Sequence, residues 1–285
     1  MLCPVCDFEA DSWEGLARHM SDLAGRSDHV MWLNRNVSQK EMSVKDLSKA
    51  LSSLFSQDGT LADWVRSEVI RKIYASPHQF IAAMQNPTRE VLLGYVLEHQ
   101  HFLKNWVHVL SSVIYRTDRE DVIKYELENI STEYLGCSGT AHYELLLQMG
   151  EALGMSRAEI LATPPLRGTV KAIEQWNRIA SEMSWAETMA AMHSLEFIAD
   201  RSISSHGARV HYFNVDILES SRYPEQVKKF LGEGYSADTY HANEAISLVE
   251  KYMESRQRVQ VAVMRSLDAV STYLNARLER AEMLK

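Results

Sequence analysis

Apolar residues recur along the chain at spacings of three and four, and this pattern predicts an almost entirely helical protein. Alternating β-branched runs are few and Asn-Gly turns are absent, so no β-sheet is expected and the predicted fold class is all-α. The predicted helices span residues 44–56, 59–84, 87–116, 119–135, 140–153, 166–181, 183–204, 206–219 and 236–282.

Two interruptions in this pattern indicate how the chain is organised. Residues 154–165 combine a Gly stop, a short turn of helix and a Pro-Pro break. The polar stretch 36–43 separates a Cys/His segment from the helical body. We therefore predict a small module at residues 1–35 and a helical domain at residues 36–285.

The last predicted helix carries an apolar stripe. Met253, Val259, Val263 and Leu267 follow one another at helical spacing. Such a stripe more often indicates packing or dimerisation than a cofactor site.

Composition and charge narrow the classes of function. Hydrophobic residues make up 46% of the chain and charged residues 24%, as in a globular protein with a normal core. The net charge of -8 disfavours nucleic-acid binding, because neutralising phosphates requires clustered Lys and Arg. No apolar run predicts a membrane span, and the N-terminus lacks the pattern of a secretory signal. Three cysteines, two of them at CxxC spacing, favour a reducing cytoplasm over a disulfide framework.

The N-terminal segment contains four candidate zinc ligands, Cys3, Cys6, His19 and His29, at the spacing C-x2-C-x12-H-x9-H. Two cysteines at this spacing can hold one side of a tetrahedral zinc ion. The segment resembles Cys2His2 zinc fingers. Its second gap of nine residues departs from that family's usual three to five, and this departure concerns the assignment of His29 as the fourth ligand. A single finger on an acidic chain lacks the charge and the tandem array of DNA-reading fingers, so a structural or docking role is expected.

Carboxylates and histidines recur together on the predicted helices of the body. The pairs are Glu98 with His101, Glu133 with His142, His193 with Glu196, and Asp238 with His241. Three of these pairs are three residues apart and therefore share a helix face, and Glu133 and His142 flank a break. One such pair is more often an ordinary ion pair, but four in apolar segments are typical of helical bundles that bind iron.

Other kinds of active site find less support. A ferritin-like site requires two Glu-x-x-His repeats, and only Glu98 and His101 occur in that order. No His-x-Asp/Glu strand motif of a facial triad is present. No nucleophile signature surrounds Cys137, and no Gly-rich phosphate loop occurs.

The order of these segments resembles the heme-oxygenase-like diiron oxidases over roughly residues 60–255. Residues 128–155 (ENISTEYLGCSGTAHYELLLQMGEALGM) resemble the segment of that family in which an acidic turn is followed by a histidine. Residues 192–200 resemble its next ligand helix, and the helix around residue 241 resembles its final His-x3-Asp-x2-His motif. The resemblance implies a heme-oxygenase-like helical bundle in which six residues match iron ligands: Glu98, Glu133, His142, Glu196, Asp238 and His241.

One departure from that family's pattern affects the number of irons. Gly234 stands where the first histidine of the final motif is expected, with Glu233 beside it. The resemblance then implies one tightly held Fe(II) on two histidines and one carboxylate: His142, His241 and Glu133, or Glu196 in place of Glu133. The alternative is a diiron centre completed by a further carboxylate: Glu98, Asp238 or Glu233. The single-iron variant resembles oxidases of fluopsin-type (copper-chelating thiohydroxamate) biosynthesis.

The resemblance also implies a reaction class. The expected activity is a dioxygenase or oxidase that uses O2 to cleave a C–C or C–N bond of a small amino-acid-derived metabolite, such as an oxime or an N-oxygenated intermediate, in natural-product biosynthesis. A diiron oxidative decarboxylase or N-oxygenase is the related alternative. The residues expected to contact the substrate are Tyr95, His101, Arg209 and Tyr240, with Phe102 and Trp106 as further walls.

Two readings without iron remain open at this stage. One is a metal-free protein of the same architecture that resembles thiaminase II or a cofactorless quinone synthase. The other is a non-enzymatic interaction protein that assembles through the finger and the C-terminal helix. Both predict zinc alone, whereas the oxidase requires iron in the helical body. A homodimer is the expectation by analogy with this architecture.

Overall fold

The protein is a bundle of α-helices. The structure is a computed structural model that describes residues 1–23, 26–136 and 139–285, except for the side chains of residues 236–241. The α-helices are α1 (Trp13–Asp22), α2 (Ser27–Asn36), α3 (Val44–Leu54), α4 (Leu61–Val69), α5 (Gln79–Ala83), α6 (Arg89–Arg116), α7 (Glu120–Ile130), α8 (His142–Ala152), α9 (Arg157–Ala162), α10 (Arg167–Glu182), α11 (Trp185–His193), α12 (Glu225–Tyr252) and α13 (Arg256–Met283). Within the described residues only an isolated bridge between Leu2 and Glu9 pairs extended backbone, and the all-α prediction is confirmed.

Hydroxyl side chains fix where many of these helices begin. The N-cap side chain accepts a hydrogen bond from the third helical N–H at Ser43, Thr60, Thr88, Ser156, Ser184 and Ser255. Each such cap satisfies an N–H group that has no partner inside its helix. The predicted start of the helix at 87–116 is confirmed, because α6 begins at Arg89 with Thr88 as its N-cap.

Helices α6 and α13, two of the three helices of 28 residues, form the centre of the bundle. They approach most closely at Gly94, where an added Cβ would lie 2.3 Å from the backbone carbonyl oxygen of Arg277. Glycine is required there because a backbone atom of the neighbouring helix occupies the space of a side chain. Helices α10 and α11 pack against α13, and Trp176 of α10 is fully buried.

The predicted helix at 236–282 is wrong, because it is two helices. Helix α12 ends at Tyr252, and α13 begins at Arg256 with Ser255 as its cap. A straight helix over the predicted range would be about 70 Å long, more than a compact domain spans. The stripe residues Val259, Val263 and Leu267 are buried in the core of the chain itself.

Three other predicted helices are interrupted or absent. The range 59–84 contains α4, a π-helical turn at Ile70–Tyr74 and the separate α5. The range 183–204 is α-helical only to His193 and continues as short 3₁₀ turns, and 206–219 holds one 3₁₀ turn, Val215–Leu218. Gly207, with φ of 108°, ends the 3₁₀ turn Arg201–His206. The apolar spacing of residues 206–219 did not produce the predicted α-helix.

The N-terminal segment is packed onto the body. Gln257 of α13 exchanges two hydrogen bonds of 2.9 Å with the backbone of Leu2. Arg265 of α13 donates to the carbonyl oxygens of Cys3 and Cys6 at 3.0 and 2.9 Å. One hydrophobic core runs through both parts, so the predicted boundary after residue 35 does not separate two independent cores. None of the helices in the described part combines the length and apolar character needed to span a bilayer.

The contact at Gly94 leads to a testable prediction. Gly94→Ala should lower the free energy of unfolding by about 1–3 kcal/mol or more, because α6 and α13 must move apart. Gly139→Ala is the matched control, since an added Cβ there meets nothing within 4 Å. Urea unfolding with an unchanged m-value measures the difference. Equal stability of the two variants would contradict the close approach.

Candidate functional site

The N-terminal Cys/His residues form a compact cluster. One ligand atom from each of Cys3, Cys6, His19 and His29 lies within 4.8 Å of the others. The Cys6 Sγ atom is 3.3 Å from the His19 Nε2 atom, and the Cys3 Sγ atom is 3.7 Å from the His29 Nε2 atom. The long second gap is explained by the helices: His19 lies in the last turn of α1 and His29 in the first turn of α2.

The chemistry of this cluster fits zinc. Two thiols and two imidazoles are a complete tetrahedral set, the kind used in structural rather than catalytic sites. Burial raises the pKa of the Cys3 thiol to about 11, so a thiolate there requires a cation beside it. The Nδ1 atom of His29 lies 3.0 Å from the Asp28 carboxylate, which orients the ring with Nε2 toward the cluster. Zinc held by these four residues would link α1 and α2 to the N-terminal segment that contains Cys3 and Cys6.

A second candidate site is a cavity of about 130 Å³ in the helical body. It lies among α6, α8, α12, α13 and the segment that follows α11. Its aromatic walls are Tyr95, Phe102, Trp106, Tyr212, Phe213, Phe230, Tyr235 and Tyr273. Its ionisable side chains other than tyrosine are His99, Glu133, His142, Glu196 and Arg277. Few polar groups in an aromatic cavity are typical of a small-molecule site.

Glu133 and His142 are brought together by an unusual local structure. Helix α7 continues into a π-helical turn, Ser131–Leu135, that carries Glu133. Gly136, with φ of 71°, reverses the chain, and an added Cβ there would lie 2.6 Å from the carbonyl oxygen of Gly139. His142 is the first residue of α8, and its Nδ1 atom lies 3.1 Å from a Glu133 oxygen. π-Helical turns are frequent at functional sites because they re-aim one side chain.

The protonation of this pair is set by opposing effects. Burial disfavours the imidazolium form of His142, but the Glu133 carboxylate outweighs it and raises the pKa of His142. With Nδ1 facing Glu133, the other ring nitrogen, Nε2, is buried and has no hydrogen-bond partner among the described residues.

The second cavity carboxylate, Glu196, is held by a buried histidine. The His193 Nδ1 atom lies 2.8 Å from Glu196, and its Nε2 atom lies 3.1 Å from Glu126 of α7. Burial lowers the pKa of His193, but the two carboxylates prevail and raise it to about 10. His193 therefore bridges two carboxylates, and burial in turn raises the pKa of Glu126. The second Glu196 oxygen, Oε2, is buried without a partner in the described part of the chain.

Gly234, the position at which the expected histidine is missing, lines the cavity from α12. The same helix runs on through the next candidate ligands. The side chains of Asp238, Tyr240 and His241 lie outside the described residues, so their roles stay predictions.

Three of the predicted site residues, Glu98, His101 and Arg209, do not line the cavity. The Glu98 carboxylate is fully buried outside the cavity and accepts hydrogen bonds from Arg280 at 2.7 Å, Thr169 at 2.5 Å and the backbone of Leu166 at 3.1 Å. Its oxygens are already bonded to protein donors, so in this structure Glu98 forms a buried ion pair outside the cavity, and a ligand role for it stays a prediction.

His101 and Arg209 were expected to contact substrate, and neither lines the cavity. The His101 Nε2 atom bonds to the carbonyl oxygen of Thr163 at 3.0 Å, and Arg209 is exposed. Tyr95, Phe102 and Trp106 do line the cavity. The face of α6 that lines the cavity is centred on Tyr95, His99, Phe102 and Trp106. Residues 98 and 101 are rotated from Tyr95 by about 60° and about 120°, at the edge of that face and beyond it.

Sequence reasoning missed His99 and Arg277. Tyr95, His99, Phe102 and Trp106 follow one another at helical spacing on α6, a signal that could have singled out His99. Arg277 continues the stripe of Val270 and Leu274 on α13 at the same spacing. An arginine within an apolar stripe is unusual and indicates a buried charge.

Comparison with known proteins identifies the same two parts. A family model described as TENA/THI-4/PQQC family matches residues 64–280, and one described as C2H2 type zinc-finger matches residues 1–56. The second match extends past the predicted boundary at residue 35 and includes α3. Comparison with curated proteins gives no significant match.

Several solved structures share the fold at low sequence identity. A domain of unknown function with a heme oxygenase-like fold from Shewanella denitrificans is 14% identical, with a TM-score of 0.57 over 86% of this chain and 96% of its own. A TenA homologue from P. horikoshii is 13% identical, with a TM-score of 0.62 over 78% and 100%. A CADD-like protein of unknown function from Nostoc punctiforme is 17% identical, with a TM-score of 0.53 over 84% and 97%. The predicted heme-oxygenase-like fold is therefore confirmed.

The Cys/His cluster generates a prediction about zinc. The purified protein should contain about one zinc per chain, and His29→Ala should lose it because a ligand is removed from a four-residue set. His108→Ala, which replaces an exposed histidine of α6, should keep the metal. Metal analysis and thermal unfolding measure both. Full zinc content in His29→Ala would assign the fourth ligand to another group.

The buried triad generates a prediction about stability. His193→Ala should cost about 3–5 kcal/mol of unfolding free energy, because Glu126 and Glu196 are left buried without a cation. Adding Glu126→Gln to that variant should recover part of the loss, since one of the two charges is removed. Denaturant unfolding of the two single variants and the double variant gives the coupling. Additive effects would show that the three side chains do not interact.

Proposed function

The chain belongs to the TENA/THI-4/PQQC family, and we propose that it is a non-heme Fe(II)- and O2-dependent oxidase acting on a small amino-acid-derived metabolite. Cleavage of a C–C or C–N bond is the reaction type that the resemblance to heme-oxygenase-like oxidases favours. The single observation that carries the proposal is a pair of unused ligand atoms. The Nε2 atom of His142 and the Oε2 atom of Glu196 are both buried without a partner in the described part, and both residues line one cavity.

Buried polar atoms in proteins nearly always have a partner, so two orphaned atoms at one cavity require an explanation. Both are of the type that binds iron: an imidazole nitrogen and a carboxylate oxygen. A cation bound to both would satisfy them together and would balance the negative charge of Glu196. The donor set therefore fits iron, with His241 of α12 as the proposed second histidine.

The geometry favours Glu196 over Glu133 as the carboxylate ligand, the reverse of the sequence-based preference. Glu133 accepts a hydrogen bond from the Nδ1 atom of His142 and so leaves Nε2 as the ring nitrogen that could bind a metal. Carboxylates commonly orient a ligand histidine in this way. We propose this positioning role for Glu133. A diiron centre that also uses Glu133 with Asp238 or Glu233 is the alternative.

The iron would supply the one-electron and dioxygen chemistry, and the chain prepares the site. His193 binds one oxygen of Glu196 and leaves the other free, and Glu126 keeps His193 in its charged form. The aromatic walls formed by Phe102, Trp106 and Phe230 exclude water from the reacting centre. The substrate would lie against these walls, between His142 and the opposite end of the cavity.

The family membership also supports a metal-free alternative. An aromatic cavity can stack a flat heterocycle, and two of the solved structures with this fold are TenA homologues. Such an activity would resemble thiaminase II, and His142 and Glu196 would then act on protons rather than on a metal.

Iron loading tests the proposal. Protein loaded anaerobically with Fe(II) should bind about one iron per chain, and His142→Ala and Glu196→Gln should abolish this binding because each removes one ligand of a small set. His101→Ala is the matched control, since that half-buried histidine of α6 bonds to a carbonyl oxygen outside the cavity. Zinc measured in the same samples reports the folded state of each variant.

Each outcome separates the alternatives. Loss of iron in His241→Ala as well would support the two-histidine set. Two irons in the wild type would favour the diiron alternative. No iron in a zinc-containing wild type would overturn the oxidase proposal and favour the metal-free activity.

A further inference from the structure

Arg277 is a buried cation that faces the cavity. Only 2% of its surface is exposed, and it is one of the residues that line the cavity. Among the described residues, no carboxylate oxygen lies within 4.0 Å of its nitrogens. Arg280, one turn further along α13, is the opposite case, because it is paired with Glu98 at 2.7 Å. A buried charge without a counter-charge is rare in proteins and strongly unfavourable.

The groups around Arg277 are neutral. Its guanidinium donates to the hydroxyls of Tyr212 and Tyr273 and to the Nδ1 atom of His99. Burial raises the pKa of Tyr273, so this side chain remains a phenol. Burial, Arg277 and His142 together lower the pKa of His99 well below its usual value, so the imidazole remains neutral. These partners orient the guanidinium but leave its charge uncompensated.

Aromatic rings stabilise the cation only in part. The guanidinium carbon lies 3.9 Å from the Tyr95 ring centroid, 4.4 Å from that of Tyr273 and 5.0 Å from that of Phe80. Cation–π contacts of this kind return less free energy than the desolvation of a full charge costs. Arginine has five N–H donors, and the three hydrogen bonds to side chains leave the buried Nε–H without a partner in the described part. The guanidinium is therefore held in place with no counter-charge among the described residues and with its Nε–H donor unused.

Arg277 lies close to the proposed iron ligands. Its terminal nitrogen is 2.9 Å from the His99 Nδ1 atom, and the His99 ring centroid is 6.4 Å from that of His142. The cavity between them, about 130 Å³, is similar to an engineered cavity of about 150 Å³ that holds benzene. A ligand with about six heavy atoms in its body could contact both ends.

We propose that Arg277 binds a carboxylate group of the substrate and thereby orients the rest of the molecule toward His142 and Glu196. The substrate class is a small monocarboxylate with a short apolar or aromatic body. Arginine suits this role because its guanidinium donates charge-assisted hydrogen bonds to a carboxylate. The reaction at the other end rests on the proposed oxidase function, whereas the binding step does not.

The test uses zinc-containing protein without added iron, so that a carboxylate cannot bind to iron instead. Benzoate and its neutral isostere benzamide are titrated calorimetrically into the wild type, Arg277→Met, Arg277→Lys and Arg209→Gln. Arg209 is an exposed arginine outside the cavity and serves as the matched control. Circular dichroism and zinc content check that each variant is folded.

The expected result is that the wild type and Arg209→Gln bind benzoate about ten- to a hundred-fold more tightly than benzamide, the effect of a charged hydrogen bond. Arg277→Met should lose this preference, and Arg277→Lys should reduce it while keeping its sign. Equal binding of the two ligands by the wild type, no binding of benzoate, or an unchanged preference in either Arg277 variant would overturn the proposal. Iron binding by the same proteins is measured separately. A wild type that prefers benzoate but binds no iron would contradict the oxidase function and leave the proposal for Arg277 standing.

Discussion

The close packing of α6 against α13 is the constraint on which the rest of the structure depends. It is possible because Gly94 has no side chain where the backbone carbonyl of Arg277 approaches. The same contact brings His99 of α6 within hydrogen-bond distance of Tyr273 and Arg277 of α13. One wall of the cavity is therefore built by the helix pair that also organises the core.

Helix α13 also connects the two candidate metal sites. In its first half, Gln257 and Arg265 donate hydrogen bonds to the backbone of Leu2 and Cys3. In its second half, Tyr273 and Arg277 line the cavity. Zinc in the finger would thus stabilise the end of the helix that supports the cavity wall. In this arrangement the finger would have a structural role within its own chain, one of the two roles expected from its charge and single copy.

Buried polar groups in the described part of the chain differ in how far the protein itself satisfies them. Glu98 with Arg280 is satisfied by donors and charges of the protein itself. At the cavity, by contrast, atoms of His142, Glu196 and Arg277 are buried with unused bonding capacity. Unpaired buried polar atoms also occur elsewhere in the described chain, for example at Gln100 and Gln260, so the argument for a ligand rests on three of them belonging to residues around one cavity.

The sequence by itself determined the all-α class, the Cys/His cluster at the N-terminus, the segments of Glu133, His142 and Glu196, and the aromatic face of α6. Helical periodicity and short ligand spacings are local properties of the chain. Only the tertiary structure decided that His99 rather than Glu98 faces the cavity, that Val259, Val263 and Leu267 are buried, and that Arg277 has no carboxylate partner among the described residues. Those outcomes depend on which helices pack together and on the rotation of each about its axis, and the spacing within one helix does not carry that information.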